Sequence, residues 1–460
     1  MSQYFHCPFL LIILLFGHLC ASAQPGEVSL LSRIDIPDEL LVEGEAGPYG
    51  GDIRIGDVND DQRPEFLVYR CAQVMGEGDS LKPCYIALLD RSGTVLWQVG
   101  NKGVQPARPG PVLLYDLDGD GRDEVISLFY QNPIDHHPDR LNGVSLEVRD
   151  GETGRMIQSA RLPAIEERSG SGPNWVHQRL IVANLRGNKR SQDFVIKLGD
   201  TVLGLSGELE LLWQYRSPWT EYQKCPAYIP SVGDIDGDDR DEVNGGYFLL
   251  DDDGSILWEE FLGPNMDSVA IAEWDAGHIR AIFSGSGQVL DAKGRVVLKL
   301  GIEQVPHGQE LRIGLFDKTL PSPQLMIRYQ GHKRDVMLVD NEGEISRRFQ
   351  LNESPNNTGM EAIYWNGLDN EALLFNGGML WSGKGEVYAK LPELPAPKGN
   401  FRQGWYHCIP ANLYGDDCEE IVVYNPWDKH VFVFGNPEAK RMDEFVFVPG
   451  RRTYNARLLD

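Results

Sequence analysis

DLDGDGRDEV, residues 116–125, places an aspartate at every second position, interrupts the run with glycines and then resumes an apolar strand. Asp116, Asp118, Asp120 and Glu124 supply oxygens at loop positions one, three, five and nine, and the Arg122 carbonyl stands at position seven. Hard oxygen donors at this spacing suit calcium. An EF-hand would continue into a helix with its glutamate at position twelve, whereas Val125, Ile126 and Leu128 begin an apolar run here. The loop is therefore expected to join two strands.

The pattern recurs, and recurrence sets the architecture. DVNDDQRPEF supplies Asp57, Asn59, Asp61 and Glu65, and DIDGDDRDEV supplies Asp234, Asp236, Asp238 and Glu242. Weaker copies keep the place and lose acids: ANLRGNKRSQDFVI from Ala183, AEWDAGHIRAIF from Ala272, GLFDKTLPSPQLMI from Gly314, YWNGLDNEALLF from Tyr364 and ANLYGDDCEEIVVY from Ala411. Most units end in a turn such as DRSG, DDDG or DNEG followed by a strand like GTVLW or GSILW. Each unit reads strand, acidic loop, strand, variable loop, strand, tight turn, strand, which is a four-stranded antiparallel propeller blade. Eight units predict an all-β, eight-bladed β-propeller, with seven blades as the alternative count. Either EVSLLSRIDI near the N-terminus or EFVFV near the C-terminus is available to close the ring.

Fifty glycines and 28 prolines among 460 residues suit a chain made of turns, and 42% apolar residues are ample for a core. Residues 24–460 are expected to form one domain. Residues 1–23 read as a signal peptide, with FLLIILLF as its apolar core and Ala21-Ser22-Ala23 as the cleavage signature. The protein is expected to be exported, secreted or periplasmic, with no membrane span. Of the five cysteines beyond residue 23, Cys71 and Cys84 flank one hairpin loop and are candidates to pair. A net charge of −25 argues against nucleic acid as a partner.

Taken in order, GDVNDDQRPEFLVY, LLYDLDGDGRDEVISLFY followed by VRDGETGRMI, SVGDIDGDDRDEV and ANLYGDDCEEIVVY resemble the rhamnogalacturonan lyases of polysaccharide lyase family 11, over most of the chain after residue 23. Acidic loops of this kind are shared with integrin-like repeats, so order and spacing carry the likeness. The resemblance implies an eight-bladed, calcium-binding propeller that cleaves rhamnose–galacturonate polymers by β-elimination, and it carries over the calcium-loop acids named above. It also implies inner-strand histidines around a catalytic calcium. The matching approaches here read QPARPGPVLLYD and KCPAYIPSVGD, which offer Arg108 and Tyr228 instead.

Blade topology puts the acidic loops on one face and the working loops on the other, so calcium is expected to be structural. Seven of the eight histidines beyond residue 23 fall on the second face, all but His278. Elimination beside a uronate needs a group to neutralise the carboxylate, a base and an acid. The candidates are Tyr406 and His407 with Lys224, His177 and His307. Arg108, Arg179, Arg312 and Arg402 are candidate carboxylate clamps, and Trp175, Trp405, Tyr228 and His137 are candidate sugar contacts. The expected partner is an acidic polysaccharide or oligosaccharide. Two other functions fit the same residues: a noncatalytic glycan- or protein-binding propeller stabilised by calcium, and a glycoside hydrolase using Asp52, Asp267 and Glu310.

Overall fold

The computed structural model describes residues 26–448 apart from 45–46, 50, 72–81, 101–103, 106–111, 131–139, 142–143, 164, 167–178, 199, 220–223, 225, 228, 276, 322, 356, 399–404 and 441–445. Eight sheets, each built on four antiparallel strands, form eight blades. Their innermost strands are Asp52–Gly56, Val112–Tyr115, Arg179–Ala183, Ser231–Gly233, Val269–Asp275, Glu310–Gly314, Glu361–Ile363 and His407–Ala411, in blades 1 to 8. The eight-blade count holds and the seven-blade alternative falls. The N-terminal segment closes the ring: Ser29–Asp35 pairs antiparallel with His430–Gly435 as the fourth strand of blade 8. The C-terminal segment lies elsewhere, with Val446 and Val448 bridged to Tyr414 and Asn412 and Phe447 buried beneath. Among the described residues no helix is long and apolar enough to cross a membrane.

Burial explains the strand chemistry. In blade 3 the three inner strands are wholly buried and mostly apolar, with Arg179, Asp193, Lys197 and Thr201 as the exceptions, while the outer strand Leu211–Arg216 buries only alternate residues, Trp213 and Tyr215. Those outer aromatics hold neighbouring blades together. Trp97 Nε1 donates to the Gly151 carbonyl at 2.7 Å, and Trp213 Nε1 to that of Asp252 at 2.7 Å, each in the tight turn of the following blade. Gly254 closes that second turn with φ 81°, and a Cβ there would stand 2.6 Å from Trp213 Cγ. Gly254→Ala is thus expected to cost about 2–4 kcal/mol, from left-handed strain plus displacement of a packed indole. Denaturant unfolding measures it, and a loss under about 0.5 kcal/mol would show the turn to be loose.

The acidic loops carry a second seam. The residue just before the closing acid reaches back to the preceding blade. The Asp123 amide donates to the Asp57 carbonyl at 2.7 Å while its Oδ2 accepts the Asp57 N–H at 2.9 Å. Asp241 does the same to Asn184 at 2.9 and 2.6 Å, and Glu419 to Tyr364 at 3.1 and 2.7 Å. Gly56 leaves room for the first staple, because a Cβ would lie 2.3 Å from Asp123 Oδ2.

In blade 1, Cys71 and Cys84 stand directly opposite each other in the register of the second and third strands. Direct partners in an antiparallel ladder have Cα separations within disulfide range. Non-reducing peptide mapping of the protein purified under oxidising conditions is expected to find Cys71 linked to Cys84. Free thiols at both positions would contradict this pairing.

Candidate functional site

Two acidic loops gather three carboxylates each. Oxygens of Asp116, Asp118 and Glu124 lie within 4.8 Å of one another, and so do those of Asp234, Asp236 and Glu242. The closing glutamates are aimed by the backbone: Glu124 Oε2 accepts the Leu117 N–H at 2.8 Å, Glu242 Oε2 that of Ile235 at 2.7 Å, and Glu65 Oε2 that of Val58 at 3.2 Å. Glu242 Oε1 is buried with no hydrogen-bond partner. Burial, reinforced by Asp236, Asp234 and Asp238, pushes Glu242 up to about 8. Burial, with Asp118, Asp116 and Asp120 adding to it, likewise pushes Glu124 to about 7. A divalent cation relieves such crowding, and an unsatisfied buried oxygen amid carboxylates fits one. The residues placed to hold a metal ion are Asp116, Asp118 and Glu124 in blade 2 and Asp234, Asp236 and Glu242 in blade 4. Blade 1 has Asn59 at the matching position, one carboxylate fewer. Asp61 and Asp120 also turn their oxygens to loop amides, those of Arg63 and Arg122, and Asp238 accepts from Arg240 N–H.

The opposite face carries a histidine site between blades 5 and 6. Asp267 precedes the inner strand of blade 5 and is 9% exposed, and His307 precedes that of blade 6 with its side chain 31% exposed. His307 Nε2 lies 2.9 Å from Asp267 Oδ2. Both are anchored on one hairpin of blade 5: Ser268 N–H donates to Ser284 Oγ at 2.9 Å, and Gly308 N–H to the Gly285 carbonyl at 2.8 Å. A Cβ at Gly308 would sit 1.9 Å from the Ser284 carbonyl oxygen, so only glycine lets the His307 segment approach this closely. The Gly331 N–H donates to the His307 carbonyl at 2.7 Å. Gly331 has φ 56°, and a Cβ on it would stand 2.8 Å from His307 Nδ1, so glycine keeps that nitrogen's approach open. The His332 ring centre is 6.1 Å from that of His307, and exposed Lys333 and Arg334 follow on the same loop.

The other candidates have different settings. Tyr406 is 2% exposed and donates its hydroxyl to the Pro395 carbonyl at 2.8 Å. Burial and Asp428 raise its pKa above that of an ordinary tyrosine. His407 is 1% exposed, its ring 5.9 Å from that of Tyr424, with Thr358 Oγ1 3.5 Å from its Nδ1. These two line the wall between blades 7 and 8, at a different seam from His307. Arg312 is held by Glu310 and Glu361 at 3.0 Å each. Arg179 is 3% exposed and stands opposite Lys197 in the ladder. Lys224 and Trp405 are half-buried. Asp52 pairs with Arg54 at 2.8 Å, and Glu310 with Arg328 at 2.9 Å. Arg108, His137, Trp175, His177, Tyr228 and Arg402 lie outside the described residues, as do residues 1–23, expected to be a signal peptide.

The sequence offers Asp267 as a possible hydrolase acid and does not join it to His307. No local motif links residues 40 apart. The available signal was that both precede inner strands of consecutive units, which puts them at one rim.

No protein-family model matches the sequence, and no curated protein matches it. Among solved structures the chain is similar to a Bacillus licheniformis rhamnogalacturonan lyase PL11, with TM-score 0.65 and 18% identity over 87% of this chain and 74% of that one. It is similar also to rhamnogalacturonan lyase YesW, with TM-score 0.66 and 18% identity over 89% and 76%. A third likeness is to the V. cholerae biofilm matrix protein Bap1, with TM-score 0.56 and 13% identity over 94% and 93%. At these identities the likeness is one of fold.

Proposed function

We propose that the protein is an exported polysaccharide lyase that cleaves an acidic, uronate-containing glycan by β-elimination, with calcium bound in loops on the far face. The observation that carries the reading is the His307–Asp267 pair at the open rim of blades 5 and 6. The two solved rhamnogalacturonan lyases lend support by sharing the propeller, and residues 1–23 support export.

The chemistry follows from the tautomer. With the Asp267 carboxylate accepting from Nε2–H, the His307 lone pair lies on Nδ1. Nδ1 takes the proton on the carbon beside the uronate carboxylate, the freed electron pair forms the ring double bond, and the glycosidic C–O bond breaks toward the leaving oxygen. His332 is the group placed to return a proton to that oxygen. Lys333 and Arg334 offset the charge that builds on the carboxylate. The overall charge of −25 repels anionic polymers, so this basic loop is a local exception on an acidic surface.

A second reading, a binding propeller without catalysis, is favoured by the buried placement of Tyr406, His407 and Arg179. Absorbance of unsaturated uronate ends across a panel of acidic polysaccharides separates the two. The lyase reading expects signal on at least one uronate polymer, whereas retention of polymer without any signal supports the binding reading.

A further inference from the structure

The two three-carboxylate loops differ in one neighbour. In blade 2, Arg190 reaches across from the loop of blade 3: its Nη2 lies 2.7 Å from Asp116 Oδ2, and it donates to the Asp116 carbonyl as well. Its guanidinium stands 5.8 Å from the centre of the Tyr115 ring. Tyr115 Oη in turn donates to the Ser191 carbonyl at 2.7 Å, and Gln192 Nε2 to that of Leu117 at 3.0 Å, which completes a clamp between blades 2 and 3. In blade 4 no described residue covers the loop in an equivalent way. A Cβ at Gly119 would meet Arg190 Nη1 at 2.8 Å, whereas one at Gly237, the same loop position in blade 4, meets nothing within 4 Å. Arg240 of the blade 4 loop turns away to Asp252 at 2.8 Å. Glu242 Oε1, by contrast, is buried without a hydrogen bond beside Asp234 and Asp236.

We propose that Arg190 is a built-in competitor for a divalent cation at the blade 2 loop. The two loops then differ in affinity, and cation binding in blade 2 is coupled to the seam with blade 3. The reason is electrostatic. A guanidinium and a calcium ion both seek Asp116 Oδ2, and they repel each other at this separation. Ligation in blade 2 must draw Asp116 away from Arg190 and loosen the clamp, whereas ligation in blade 4 satisfies a buried carboxylate oxygen, Glu242 Oε1, that has no hydrogen bond. The inference concerns the metal face and stands apart from the lyase reading.

Calorimetric titration of the chelator-treated full chain with calcium tests it. The wild type should show a tighter ion, removed by Asp236→Asn, and weaker binding that includes blade 2. Arg190→Gln should tighten one weaker ion by about tenfold and leave the tighter one unchanged. The same variant should melt lower in chelator yet gain more from calcium than the wild type, a crossing that a merely structural arginine would not produce. Arg190→Lys keeps the charge and loses the two-pronged contact, so it should fall between, and it carries the test if the glutamine variant does not fold. Equal affinities in blades 2 and 4, an unchanged isotherm in a folded Arg190 variant, or no calcium binding at all would overturn the proposal.

Discussion

Replacing His307 with alanine is expected to cut eliminating turnover by roughly 100-fold or more while melting temperature and calcium content stay near wild type, as when a general base is lost. The pair with Asp267 sharpens the expectation. Asp267→Asn preserves shape but permits the tautomer with hydrogen on Nδ1, so turnover should fall by a similar order, with a changed pH profile and little change in KM. His407→Ala offers the contrast. Its side chain is 1% exposed against the blade 7–8 wall, so its loss should act on stability more than on turnover. If His307→Ala retained full turnover while His407→Ala lost it, the working site would move to the other seam.

Glu310→Ala should be the most damaging single change to stability, at roughly 3–5 kcal/mol. Glu310 is 3% exposed and holds Arg328 at 2.9 Å, Arg312 at 3.0 Å and the Met360 N–H at 3.0 Å. Arg328 is itself fully buried. Removing the carboxylate leaves a charge in the wall with its main counter-ion gone. The double variant Glu310→Ala, Arg328→Met should recover much of the loss, because burying two apolar groups costs less than burying one unpaired charge. Denaturant unfolding of the four members of this cycle gives the coupling. A cost below about 1 kcal/mol for the single change would mean that solvent reaches the network.

What could be read in the chain followed physical period. Acids at alternate positions, a glutamate at position nine and an apolar strand after it identify three blades, and five weaker copies that keep the place but lose acids complete the count of eight. Closure was open because residues 27–36 and 444–448 both read as strand, and only pairing with His430–Gly435 decides between them. The staple made by Asp123 was hidden, since a loop aspartate looks the same whether it faces a metal or the blade before it. Site residues were harder still. Tyr406 and His407 enter a strand just as His307 does, yet the hydroxyl of Tyr406 finds Pro395 and the ring of His407 packs inward. Partnership between Asp267 and His307 depends on how two blades sit side by side, which composition and spacing do not encode.

The most direct measurement is the mass of the products released from rhamnogalacturonan and related uronate polymers by the wild type and by His307→Ala, both in calcium. β-Elimination leaves a chain end with a ring double bond, one water lighter than the end left by hydrolysis. The account predicts such unsaturated ends from the wild type and their near-disappearance with His307→Ala. Hydrated ends, equal product from both proteins, or no product from any uronate polymer would contradict it.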